Sequence, residues 1–119
     1  MQNQIDLKRL IRFIIDQKNI DANLILDEGC TLDSENQASL VKIINYFLNY
    51  LSNLSNRPME ISLDLMGNSF LLNMMAFSDR TEFPELSGNL KDALAEYKAH
   101  YETKQEPGSY IQIKITFAK

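Results

Sequence analysis

The sequence predicts an α+β two-layer sandwich, a four-stranded mixed sheet with three helices on one face, in the order α-β-α-β-β-α-β. Three observations predict it. The spacing of apolar residues switches back and forth along the chain between helical periodicity and strict alternation. Each alternating segment has one mainly apolar side, which suits a sheet covered on a single face. The chain of 119 residues is long enough for one core without metals or disulfides, so residues 1–119 are expected to form a single domain.

The first helix runs from a cap at Asp6 to about Lys18, with Leu7, Leu10, Ile11, Ile14 and Ile15 at helical spacing. A half-buried strand follows, with Ile20, Ala22, Leu24 and Leu26 on one side and Asp21, Asn23 and Asp27 on the other. Residues 27–36 are polar and read as a loop. The second helix spans about Glu35 to Leu54. Its apolar residues, among them Leu40, Ile44, Phe47, Leu48 and Leu51, cover about half the circumference, so it must be largely buried. Asn45, Asn49 and Asn53 fall at four-residue steps on the other side.

Pro58 opens the next strand, where its missing donor does least harm. Gly67 and Asn68 form a two-residue hairpin turn, with Gly67 taking the positive φ. Folding about that turn pairs Leu65 with Phe70, Leu63 with Leu72, Ile61 with Met74 and Met59 with Ala76. Every inward residue meets an apolar one, and a one-residue slip would destroy the match. Residues 78–88 read as a loop. A third helix is expected from about Asn89 to Thr103, with Leu90, Ala93, Leu94, Tyr97 and Tyr101 inward. After a Pro107-Gly108 turn, the last strand carries Ile111, Ile113, Ile115 and Phe117 inward.

Composition narrows the function classes. A net charge of -4 argues against nucleic acid, which wants a basic face; Lys8, Arg9 and Arg12 read as a solvated helix face. No stretch approaches the roughly 20 apolar residues of a membrane helix, and the first ten residues lack the apolar core of a signal peptide. A single cysteine, Cys30, cannot form an internal disulfide. Cytoplasm is the expected compartment by elimination.

The order of elements, together with Asn45-Tyr-Phe-Leu-Asn49 on the central helix, resembles the Bergerat-fold (GHKL) ATPases, and in particular the catalytic domains of sensor histidine kinases. Asn45 and Asn49 match the two Asn of that family's central-helix pattern. Ile5-Asp-Leu7 resembles its opening segment, Asn19 to Asp27 its first long strand, and Pro107-Gly108 its closing turn. Asp33 sits where an Asp often precedes the helix. The resemblance implies roles: Asn49 would help hold Mg²⁺, which takes oxygen ligands, and Asp79, after the hairpin, would hydrogen-bond adenine. The chain departs from the family elsewhere. Tyr50 stands in place of a small Ala, and Ser52 lies near the expected Lys. Between Gly67 and Gly108 the only glycine is Gly88, so the Gly-rich boxes whose amides receive phosphates are missing. The lid segment is also short.

Each remaining candidate has a plain structural reading. His100 resembles a phosphoacceptor only loosely, since Tyr101 rather than an acid follows it; a surface His near a helix end is favoured. A His100/Cys30 catalytic pair would need an orienting third group. Cys30 reads as a buried thiol, and one His with one Cys makes zinc unexpected. The acids Asp27, Glu28, Asp33 and Glu35 read as solvated loop charges, and Met66, Met74 and Met75 as core filler. On the outer sheet face, Ile25, Leu71, Met75, Phe77 and Tyr110 interrupt a polar surface and form an interaction patch if they cluster.

The expected function is a non-catalytic signalling or regulatory module, without cofactor, that binds a signalling protein or itself. A second reading is a minimal ATP-Mg-binding kinase or ATPase of the anti-sigma kind, using Asn45, Asn49 and Asp79. A third is a phosphotransferase-like partner of a receiver domain.

Overall fold

The computed structural model describes residues 4–118. Seven strands and three helices follow in the order β1 (Gln4–Asp6), α1 (Leu7–Lys18), β2 (Ala22–Leu26), β3 (Thr31–Asp33), α2 (Gln37–Leu54), β4 (Met59–Leu65), β5 (Ser69–Phe77), α3 (Leu90–Ala95), β6 (Ala99–Glu106) and β7 (Tyr110–Ala118). The helices pack on a mixed five-stranded sheet of order β2-β4-β5-β7-β6, and β1 pairs with β3 as a separate two-stranded ribbon. The two-layer α+β architecture stands as expected, with one more strand in the sheet.

Local chemistry explains the first half. The Asp6 side chain accepts from the Arg9 amide and caps α1, and Asn19 ends it in the left-handed conformation that Asn tolerates. Asn36 caps α2 in the same way through the Ser39 amide. The loop expected over residues 27–36 contains β3, whose buried Leu32 faces buried Ile5 of β1. Strands of three residues are too short to display a period.

Strand β2 lies parallel to β4, which forces a crossover, and α2 supplies it. The β4–β5 hairpin has the expected register, with Leu65 opposite Phe70, Leu63 opposite Leu72 and Ile61 opposite Met74. Its turn differs from the expectation. Among the described residues the positive-φ glycines are Gly29 and Gly108, and Gly67 is not one of them. The Met66 amide instead bonds the Ser69 carbonyl at 2.9 Å across the turn.

The third helix is corrected most. It stops after six residues, at Ala95, and Lys98 turns the chain with a φ of 54°. Residues expected in its second half form β6, paired antiparallel with β7 from Ala99↔Phe117 to Glu106↔Tyr110. Helical spacing of Leu90, Leu94, Tyr97 and Tyr101 suggested one long helix, but eight residues of sheet pairing outweigh that local preference. Gly108, at a φ of 82°, makes the tight β6–β7 turn.

The core is continuous between helices and sheet. Phe47 of α2, Phe70 of β5 and Phe117 of β7 are its largest fully buried side chains. The Tyr101 ring meets Phe47 edge-on at 5.3 Å, so β6 still delivers to the core a residue expected from a helix.

Candidate functional site

Two neighbouring rows run along α2, Asn45 with Asn49 and Tyr46 with Tyr50, because residues four apart on a helix lie one above the other. Asn49 is exposed, while Asn45 is half-buried. The Asn45 Oδ1 atom is covered and has no hydrogen-bond partner among the described residues. A buried acceptor left unpaired costs about 1–3 kcal/mol.

The two tyrosines reach across to the segment between β5 and α3. Tyr46 Oη accepts the Ser87 amide at 2.8 Å, and the Tyr50 hydroxyl donates to the Pro84 carbonyl in a short bond. Burial, with Tyr46 as a smaller contributor, raises the Tyr50 pKa above the ordinary 10.0. Phe83 and Leu86, from the same segment, pack half-buried against the core. Residues 83–87 are therefore fastened to α2 along its Tyr46–Tyr50 row, with Phe83 and Leu86 inward.

Several amides around the start of α3 are already engaged. Ser87 N–H goes to Tyr46, Asn89 N–H to Ser87 Oγ at 3.3 Å, Leu90 N–H to Ser87 O at 3.4 Å, and Ala93 N–H to Asn89 O at 3.0 Å. Asp92 places a carboxylate in the first turn. At the other end of α3, Tyr97 Oη donates to Asn36 O at 2.5 Å, and Asn36 Nδ2 to Glu96 at 2.9 Å, tying α3 to the start of α2. Burial, and then the neighbouring Glu96, raise the Tyr97 pKa.

Asp79 is exposed one residue beyond buried Ser78, at the end of β5. The backbone on either side is pinned to the β6–β7 turn, by Ser78 N–H to Ser109 O at 3.0 Å and by Gly108 N–H to Arg80 O at 2.7 Å.

The outer-face residues divide. Phe77 pairs with Tyr110 across β5 and β7, and Met75 lies two residues along the same face of β5. The Arg57 guanidinium covers the Phe77 ring at 4.2 Å. Leu71 is separated from Met75 by Asn73, which accepts from Gln112 at 2.7 Å. Ile25 lies two strands away, on β2.

His100 is corrected. It is exposed on strand β6 opposite Thr116, so neither a helix dipole nor a phosphotransfer helix surrounds it. Cys30 is fully buried in the core. The loop acids have structural tasks: Asp27 accepts the Leu65 amide at 2.9 Å, Glu28 pairs with Lys8 at 3.2 Å, and Asp33 accepts from Gln4 at 3.4 Å. Among the described residues no group of three or more His, Cys, Asp or Glu is placed to hold a metal, and no helix is long and apolar enough to cross a membrane.

Sequence reasoning noticed Tyr50 but missed Tyr46. The available signal was its position four residues earlier on the same helix face, with a Pro- and Ser-containing segment long enough to return to it.

This architecture is that of the histidine kinase ATPase domain. Among solved structures, the chain is similar to the histidine kinase domain of the E. coli osmosensor EnvZ, with a TM-score of 0.75 and 10% identity, covering 99% of this chain and 89% of that one. It is also similar to the Acinetobacter baumannii histidine kinase AdeS, with a TM-score of 0.70 and 12% identity over 99% of this chain and 68% of that one. The mycobacterial sensor histidine kinase MprB gives 0.69 and 9% over 98% and 99%. No family model and no curated protein sequence matches the chain. At these identities the likeness is one of fold.

Proposed function

We propose that this chain is a non-catalytic signalling or regulatory interaction module, built on the histidine kinase ATPase scaffold. The observation that carries this reading is the tyrosine clamp. Tyr46 and Tyr50 hold residues 84–87 against α2, along the row next to the one that bears Asn45 and Asn49. Two further features support it. The amides of Ser87, Asn89 and Leu90, around Gly88 in the stretch that lacks a Gly-rich loop, are spent on partners within the chain. Asp92 adds a negative charge beside them, which repels a phosphate. These features leave few free donors for a triphosphate.

Calorimetric titration with ATP and Mg²⁺, paired with thermal melts, tests the proposal. The expected result is no binding heat and no rise in melting temperature up to millimolar nucleotide. Binding that disappears in Asn49→Asp, with the fold unchanged, would replace this reading with a minimal ATP-binding kinase or ATPase using Asn49 and Asp79. The exposure of both residues favours that second reading.

A further inference from the structure

The two edges of the five-stranded sheet differ. Edge β6 is eight residues long and carries Glu102, Lys104 and Glu106 at alternate positions, charges that discourage a further strand. Edge β2, with the sequence Ala-Asn-Leu-Ile-Leu, carries no charge at all. It is open in three respects. The Asp21 carbonyl and the Asp27 amide bond to β4, so by alternation Asn23 and Ile25 also turn their backbone to β4. The N–H and C=O groups of Ala22, Leu24 and Leu26 therefore face the free edge. On the inner side, Ala22, Leu24 and Leu26 remain half-buried, whereas their partners Met59, Ile61 and Leu63 on β4 are 1%, 2% and 0% exposed. On the outer side Ile25 is 73% exposed, the most open of the large apolar residues among those described.

The surroundings say what would cover this edge. Asp21 and Asp27 stand at its two ends, and Glu60 and Asp64 lie on β4 next to it. A second copy paired antiparallel about Leu24 would bring Asp21 against Asp27 at both ends, and like charges directly opposite destabilise a strand pair. A strand with basic ends meets the opposite situation. We infer that the β2 edge is a strand-addition site for an extended partner segment, apolar at alternate positions and carrying Lys or Arg at both ends. The added strand runs antiparallel, the better-bonded arrangement. Main-chain bonds to Ala22, Leu24 and Leu26 supply affinity, and the acidic ends supply selectivity.

This gives the interaction reading above its partner chemistry and rests on it. The tests fail separately, because nucleotide titration reads α2 and peptide titration reads β2. The probe is the capped peptide Lys-Val-Thr-Val-Thr-Val-Lys, whose ends reach Asp21 and Asp27 when its centre lies opposite Leu24. Titration into the full chain is expected to show saturable binding that weakens with salt, and hydrogen exchange is expected to slow at the Ala22, Leu24 and Leu26 amides. Replacing both terminal Lys by Glu should weaken binding at least tenfold, and Ile25→Lys, at an exposed position that leaves the circular dichroism unchanged, should do the same. Equal binding of the Glu peptide, absence of binding, or binding without protection of those three amides would overturn the inference. So would a concentration-dependent dimer abolished by Ile25→Lys, which would assign the edge to a second copy.

Discussion

Along the β4–β5 hairpin, six consecutive residue pairs from Glu60↔Met75 to Leu65↔Phe70 are joined, and alternate side chains enter the core. A few residues further on, the stretch from Asp79 to Asn89 has no such ladder. It is held by two tyrosine hydroxyls, by bonds to the β6–β7 turn and by the half-buried Phe83 and Leu86. The hairpin carries its instructions in a local period, and each pair reinforces the next. The following segment depends on single contacts from distant parts of the chain. Stability is expected to be distributed in the same unequal way.

The largest effect is expected where the ladder and the helix layer meet. Phe47→Ala empties a fully buried position and removes the edge contacts to Tyr46 and Tyr101, so urea unfolding should show a loss of about 3–5 kcal/mol. If the loss is below about 1 kcal/mol, the core is not the common support of both regions. A smaller, local effect is expected at the clamp. Tyr46→Phe removes the acceptor for the Ser87 amide and should cost about 1 kcal/mol or less, with exchange at that amide roughly fivefold faster and the hairpin amides unaffected. Equal acceleration in the hairpin would erase the distinction between the regions.

The clamp should also respond to pH. The folded protein favours neutral Tyr50, whose pKa is raised. Its contribution is thus present in full below the ordinary value of 10.0 and is lost as pH climbs through the higher folded value. Tyrosinate absorbance and exchange at residues 85–87 should change together above that pH, and Tyr50→Phe should uncouple them. The smallest effect is expected on the exposed β6 edge, where Glu102→Ala, opposite Lys114, should shift stability by no more than about 0.5 kcal/mol in a thermal melt.

The same contrast explains what was legible in the sequence. Caps at Asp6, the apolar face of α2 and the hairpin register all follow from residues near one another in the chain. Strand β6 does not. Leu90, Leu94, Tyr97 and Tyr101 keep helical spacing, and nothing about Lys98 announces a left-handed turn; only the presence of β7 decides that Ala99 to Glu106 extend. Ribbon β1–β3 depends likewise on partners distant in the chain, with Ile5 set against Leu32 and Gln4 against Asp33. At the candidate site, Asn45, Asn49 and Asp79 were visible as residue types. The clamp was not, because a Tyr at a helix surface gives no sign of which carbonyl or amide it will meet.

The parallel pairing of β2 with β4 has a kinetic consequence. The hairpin partners β4 and β5 are separated by a three-residue turn, but β2 reaches β4 only after α2 has been laid down between them. Closing so long a loop is entropically expensive before its contacts form. We therefore expect β2 to dock after the transition state. Leu24→Ala should then speed unfolding with little change in the folding rate, whereas Leu72→Ala should slow folding, and stopped-flow measurement of both would reveal a reversed order.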